Sequence, residues 1–205
     1  MSHPPDIPSR AASLKASTHA AHQRLDGGIM KFNPFASRQH YGAFVLMQYA
    51  FHRDVAPLFG DTELNRLFPG LNARARLQQV ERDLADLGLA VPVLPTPPAM
   101  ANGAALDLPT ALGWLYVEEG SNLGAAFLFK AAAALGLGAE HGARHLAPHP
   151  DGRAPSWRAF VSQLDSIVLA APDEARVIAG AIAAFEQVTR YMEMFCHDAT
   201  LPQPA

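Results

Sequence analysis

His22 and Asp26 stand four residues apart in the run Ser13-Leu14-Lys15-Ala16-Ser17-Thr18-His19-Ala20-Ala21-His22-Gln23-Arg24-Leu25-Asp26, so an amphipathic helix places them on one face. A carboxylate one turn from an imidazole receives the Nδ1 proton, directly or through water. Nε2 is then free as an acceptor, as a metal-ligating histidine requires. A lone helical histidine is more often only packed or solvated, and the spacing leaves both readings open. His19 is a weaker rival, because its residue at i+4 is Gln23.

A second pair is Gly120 and Gly124, within the apolar helical stretch Gly113 to Lys130 and one turn apart. Each glycine inside a helix costs about 1 kcal/mol relative to alanine. Two on one face therefore require something close to the backbone, either a second helix or a flat ligand. Ser121 and Leu123 lie between them, and nothing acidic or aromatic does.

The other candidates carry less. His3, His141, His145 and His149 fall in expected loops, and His40, His52 and His197 fall on helices with no matching ligand nearby in sequence. Glu-x-x-His spacing, the mark of a helical di-iron site, is absent. Cys196 reads as an inert thiol near a frayed helix end. Phe127, Phe129, Phe160 and Met47 read first as core, with some of them lining a pocket.

The elements that must position these residues are helical almost throughout. The first helix is expected to stop at Gly27-Gly28. Pro34 and Ser37 open a run to about Phe59, and Asp61 caps a short helix through Phe68. Asn72 is expected to cap a helix from Ala73 to Leu87 whose charges, Arg74, Arg76, Glu81, Arg82, Asp83 and Asp86, form a solvated face. Pro92, Pro95, Pro97, Pro98 and Gly103 make residues 90–106 an irregular connection. Asp107 with Pro109, Pro155-Ser156 and Pro172-Asp173 open three further helices, the last running to about His197. No stretch alternates like a strand and no repeat appears, so the expected architecture is all-α, a single domain over 1–205 with 1–10 and 199–205 as flexible ends.

At 205 residues the chain suits one well-packed domain. Sixteen basic against 19 acidic side chains give no footprint for nucleic acid or a polybasic membrane patch, so the partner is expected to be small. One cysteine excludes an internal disulfide framework and fits a reducing compartment. With no leader-like run, and with Glu118, Glu119 and Lys130 interrupting the apolar stretch 111–136, the expected location is the cytoplasm with no membrane span. No Gly-x-Gly-x-x-Gly marks a flavin or nicotinamide site.

Thr18-His19-Ala20-Ala21-His22-Gln23-Arg24-Leu25-Asp26, Asn33-Pro34-Phe35-Ala36-Ser37-Arg38 and Glu119 to Lys130 together resemble the heme oxygenase family, its bacterial members in particular. Weaker matches follow in consistent order at Phe44 to Tyr49, Asn65 to Leu71, Gly142 to Leu146 and Trp157-Arg158-Ala159-Phe160. The resemblance implies a helical bundle with heme sandwiched between a proximal and a kinked distal helix. His22, supported by Asp26, would be the iron ligand, and Gly120, Ser121 and Gly124 would face bound O2, with Leu123 and Phe127 against the heme. Animal members carry an aspartate after the first distal glycine; here Ser121 stands in its place, which leaves proton delivery to backbone-held water. Lys15, two turns before His22, and Tyr116, one turn before Gly120, could clamp a propionate, as in bacterial members that seat heme in the usual orientation. Arg158 could reach a propionate or serve the surface. The implied reaction cleaves heme at the α-meso carbon to biliverdin IXα, CO and Fe2+, using O2 and electrons from a separate reductase or ferredoxin. It would serve iron release or bilin supply to a phytochrome. A heme carrier or sensor of the same fold, and a cofactor-free interaction domain, are the alternatives.

Overall fold

The computed structural model describes residues 9–101 and 106–196. His3, Gly103, His197 and the expected flexible end 199–205 lie outside the described residues. Seven α-helices form within them: α1 (Arg10–Phe32), α2 (Arg38–Gly60), α3 (Thr62–Leu67), α4 (Leu77–Asp86), α5 (Leu108–Ala133), α6 (Arg153–Ser166) and α7 (Ala171–Cys196). Short 3₁₀ turns occupy Leu71–Arg74 and Arg144–Leu146, and no strand occurs among the described residues beyond isolated bridges at Gly138.

Side-chain caps set several starts. Ser9 accepts from the Ala12 amide, Ser37 from that of His40, and Asp61 from that of Leu64, satisfying donors a helix start leaves unpaired. Two boundaries differ from expectation. α1 runs through Gly27-Gly28 and ends at Asn33, whose φ of 54° is the left-handed turn-off. Gly28 instead admits Met192 of α7, whose Sδ lies 2.5 Å from where a Cβ would stand, so tertiary packing overrides the stop signal. Asn72 does not cap α4; it sits in the 3₁₀ turn with its amide bonded to Asn65 Oδ1 at 3.0 Å, and α4 starts five residues later.

α7 is the spine, packing against α1, α2 and α5. Its crossing with α5 is glycine on glycine. A Cβ on Gly113 would fall 2.2 Å from Val177 O and 2.5 Å from Ala181 N, and one on Gly180 would fall 2.6 Å from Thr110 O. Close backbone approach thus belongs to Gly113 and Gly180. Arg10, expected in a flexible end, is buried; its guanidinium binds Glu174 (Nε–Oε2 2.9 Å) and Ile167 O (2.7 Å), pinning α1 to the start of α7. Buried Asp54 of α2 accepts from Tyr191 Oη (2.6 Å) and Gln187 Nε2 (3.1 Å) of α7 and from the Ala99 amide (3.2 Å), tying down the proline-rich connection. Met47 and Phe160 are core as expected, and Phe129 is half-buried.

Candidate heme site

On α1, His22 Nδ1 lies 3.1 Å from Asp26 Oδ2, with both side chains more than half exposed. The expected pairing forms, and it directs Nε2 away from the carboxylate. The imidazole meets Phe185 of α7 edge-on, ring centroids 5.7 Å apart at 84°. Because α7 also packs along α5, it is a common wall for both helices. Lys15 lies exposed on α1.

α5 runs unbroken through both glycines. A Cβ on Gly124 would meet nothing within 4 Å, and one on Gly120 would touch only the Trp157 ring at 3.7 Å, an ordinary contact. Among the described residues, Trp157 of α6 is the one side chain that reaches either of these two positions. Around it, Leu123 is 39 % and Phe127 62 % exposed, which corrects the reading of Phe127 as core. An open small-residue notch flanked by exposed Leu and Phe is the shape a flat apolar ligand needs. Ser121 donates its hydroxyl proton to Glu118 O (2.7 Å), so its oxygen faces outward as an acceptor. Tyr116 is half-buried against Trp157, centroids 5.6 Å apart, and burial raises its phenol pKa. Arg158 is exposed on α6; no contact joins it, Lys15 and Tyr116 to one another among the described residues.

The other side of α5 holds what the sequence reading passed over. Asp83, Arg74 and Arg76, expected on a solvated face, turn inward: Asp83 is fully buried, and Arg74 Nη1 binds buried Glu119 at 2.5 Å. His145, expected in a loop, is buried in the second 3₁₀ turn with Nδ1 2.7 Å from Asp83 Oδ2. Burial pushes the Asp83 carboxyl upward, but hydrogen bonds from the His145 side chain and backbone and from the Arg144 amide win and hold it below its usual range. Burial lowers His145, against the pull of Asp83, so its neutral form donates from Nδ1 and leaves Nε2 an acceptor.

His52 of α2 faces Glu118, Nδ1 to Oε1 3.6 Å, just beyond hydrogen-bond reach, and both are buried. Burial, then the charges of His145 and Arg76, hold His52 down to about 3, so it is neutral at ordinary pH. Burial, then the Glu119 charge, push the Glu118 carboxyl well above its usual range. His52 Nδ1, Glu118 Oε2 and His145 Nε2 have no hydrogen-bond partner among the described residues. Beside them is a cavity of about 30 Å³ bordered by Gln48, His52, Ser121, Asn122 and His145, room for one water. The sequence signal was present: Glu118 and Glu119 interrupt an apolar run, and charges inside such a run need buried partners.

An all-helical domain with one carboxylate-oriented imidazole on α1 and an open glycine face on α5 fits a heme protein whose second face is left free. The comparisons carry this to a family. The heme oxygenase family profile matches residues 9–196, and the chain belongs to that family. It is 46 % identical over 184 residues to heme oxygenase PigA of Pseudomonas aeruginosa, covering 90 % of this chain and 91 % of the relative. Its fold matches the heme oxygenase of Neisseria meningitidis, solved with NO and CO bound, with TM-score 0.86 and 43 % identity over 95 % of this chain and 96 % of the other. No described helix is long and apolar enough to cross a membrane.

Proposed function

We propose that this heme oxygenase opens heme at the α-meso carbon to give biliverdin IXα, with heme between α1 and α5. The observation that carries the reading is the empty face at Gly124 in a helix whose close packing is met elsewhere, at Gly113 and Gly180. Heme, when bound, supplies the iron that takes O2 and is itself the ring that is cleaved. His22 Nε2 ligates the iron while Asp26 holds Nδ1–H and fixes the ring tautomer. Gly120 and Gly124 leave room for O2 and water, and Leu123 and Phe127 cover the apolar macrocycle. Ser121, unable to donate while bonded to Glu118 O, orients water by accepting from it.

Protons reach that water through the cavity behind α5. Glu118, its carboxyl pushed well above the usual range by burial, faces neutral His52, which passes the proton to a water bordered by Ser121 and Asn122. Lys15 and Tyr116 fix the propionates and so choose which meso carbon faces the oxygen. Electrons come from a separate reductase or ferredoxin, and the pigment serves iron release or a phytochrome. The lone buried Cys196 fits work in a reducing cytoplasm. The test is single turnover of heme-loaded protein with reductant in air, followed by chromatography of the pigment and measurement of CO. Biliverdin IXα with one CO per heme is expected. Heme that binds with two axial ligands and is not consumed would identify a carrier instead.

A further inference from the structure

A cavity of about 390 Å³ adjoins the glycine face of α5 through Leu123 and Trp157 and is bordered by no residue of α1. Its walls are residues 73–79, the 147–150 connection, the start of α6, and Glu119, Asn122 and Leu123 of α5. Four guanidiniums line it, from Arg74, Arg76, Arg144 and Arg153. Two are neutralised: Arg74 by Glu119 (2.5 Å), and Arg144 by Asp83 (3.1 Å) and Asp86.

Arg76 and Arg153 differ. Arg76 Nη1 donates to the carbonyls of His145 (2.7 Å) and Ala147 (3.1 Å), and Arg153 donates to the carbonyls of Asn122 (2.7 Å) and Leu146. Carbonyls fix these forks in place without cancelling their charge. No carboxylate among the described residues lies within ion-pair distance of either. The two repel each other: burial lowers the Arg153 pKa first, and the Arg76 charge lowers it further. Burial and the Glu119 charge hold the carboxyl of Glu118, which also feels Arg76, well above its usual range. Such a pair, held at a cavity with room for about a dozen waters, lacks a counter-charge.

We infer that this cavity binds a doubly charged oxyanion, inorganic phosphate or the phosphate of a small phosphomonoester, between Arg76 and Arg153. A tetrahedral phosphate carries about −1.5 to −2 charge near pH 7 and several acceptor oxygens. That matches two fixed forks better than one carboxylate does. The site is tied to the glycine-bearing turn of α5, since Arg153 holds Asn122 O and Arg74 holds Glu119.

The experiment is calorimetric titration of heme-free protein with inorganic phosphate, and separately with glycerol 3-phosphate, at ionic strength held constant with chloride. A single saturable event with Kd below about 1 mM is expected. A stronger response to the ester would name the ester as the ligand. Arg153→Gln and Arg76→Gln should each weaken binding about tenfold or more, while Arg66→Gln, on the exposed face of α3, should not. If Arg76→Gln fails to fold, Arg153→Lys, which keeps the charge and loses the fork, reads the same contact. Heats no larger than those of matched chloride would overturn the site. So would loss of phosphate binding in heme-loaded protein, which would assign the cavity to the porphyrin carboxylates. Because the first arm contains no heme, its outcome is independent of the heme reading.

Discussion

Alanine at two glycines of the same helix should change stability in opposite directions. At Gly124 an added Cβ meets nothing within 4 Å, so only the backbone propensity remains. That favours alanine by about 1 kcal/mol in a helix interior, a rise in Tm of about 2–4 °C for a chain of this size. At Gly113 the new Cβ would stand 2.2 Å from Val177 O and 2.5 Å from Ala181 N. Both are backbone atoms that no rotamer change can move. α5 and α7 would have to separate by about 1 Å along their crossing, an overpacking cost of about 1–3 kcal/mol. The propensity gain is common to both positions, so the two variants should differ by the overpacking cost, about 1–3 kcal/mol, in urea unfolding of the heme-free protein. Function should reverse the order for Gly124→Ala: the more stable protein should produce less biliverdin, because its methyl occupies the space of O2 and water. A destabilised Gly124→Ala, a Gly113→Ala as stable as Gly124→Ala, or a stabilised Gly124→Ala with full turnover would each refute the reasoning.

His22→Ala should lose the iron ligand and turnover while heme still enters the slot, with external imidazole restoring part of the activity; parental turnover, or the same loss in His19→Ala only, would move the ligand elsewhere. His52 is held near 3 in the fold against 6.5 ordinarily. The unfolded chain therefore binds a proton that the fold refuses, and stability falls as pH drops below 6.5, by up to about 1.4 kcal/mol per pH unit. Lowered His145 adds in the same direction. Glu118, which keeps its proton above its ordinary 4.5, offsets part of this loss. His52→Gln should lose less stability than the parent between pH 7 and 5 in urea titrations, and Glu118→Gln should lose more; equal slopes would contradict the burial argument. Lys15→Asn with Tyr116→Phe should introduce β or δ biliverdin isomers. The two propionate contacts, each worth about 1–3 kcal/mol, suffice to shift the seating tenfold, and an unchanged isomer pattern would remove these residues from that role.

Local signals in the sequence were reliable where local chemistry decided the outcome. Ser37 and Asp61 cap the helices they were expected to cap, and the i,i+4 spacing alone puts Asp26 beside His22. Signals failed where a distant element decided. Gly27-Gly28 reads as a stop, yet Met192 of α7, far along the chain, uses Gly28 as a notch and the helix continues. Asp83 reads as one charge on a polar face, yet His145, 62 residues on, converts it to a buried anchor. The glycine spacing at 120 and 124 by itself favoured helix packing over a ligand. Close helix packing lies at Gly113 and Gly180 instead, and Gly124 does not share it. Glu118 and Glu119 were visible as interruptions of an apolar run, but His52 of α2, which faces Glu118, and Arg74 of the first 3₁₀ turn, which binds Glu119, lie far away in sequence.

The most direct test is an anomalous-scattering map at the iron edge from crystals of the heme-loaded protein. The iron should lie within bonding distance of His22 Nε2, with the porphyrin against the Gly120–Gly124 face of α5 and Asp26 on Nδ1. Iron bound to His19, or a porphyrin seated in the arginine-lined cavity between α4 and α6, would contradict the account.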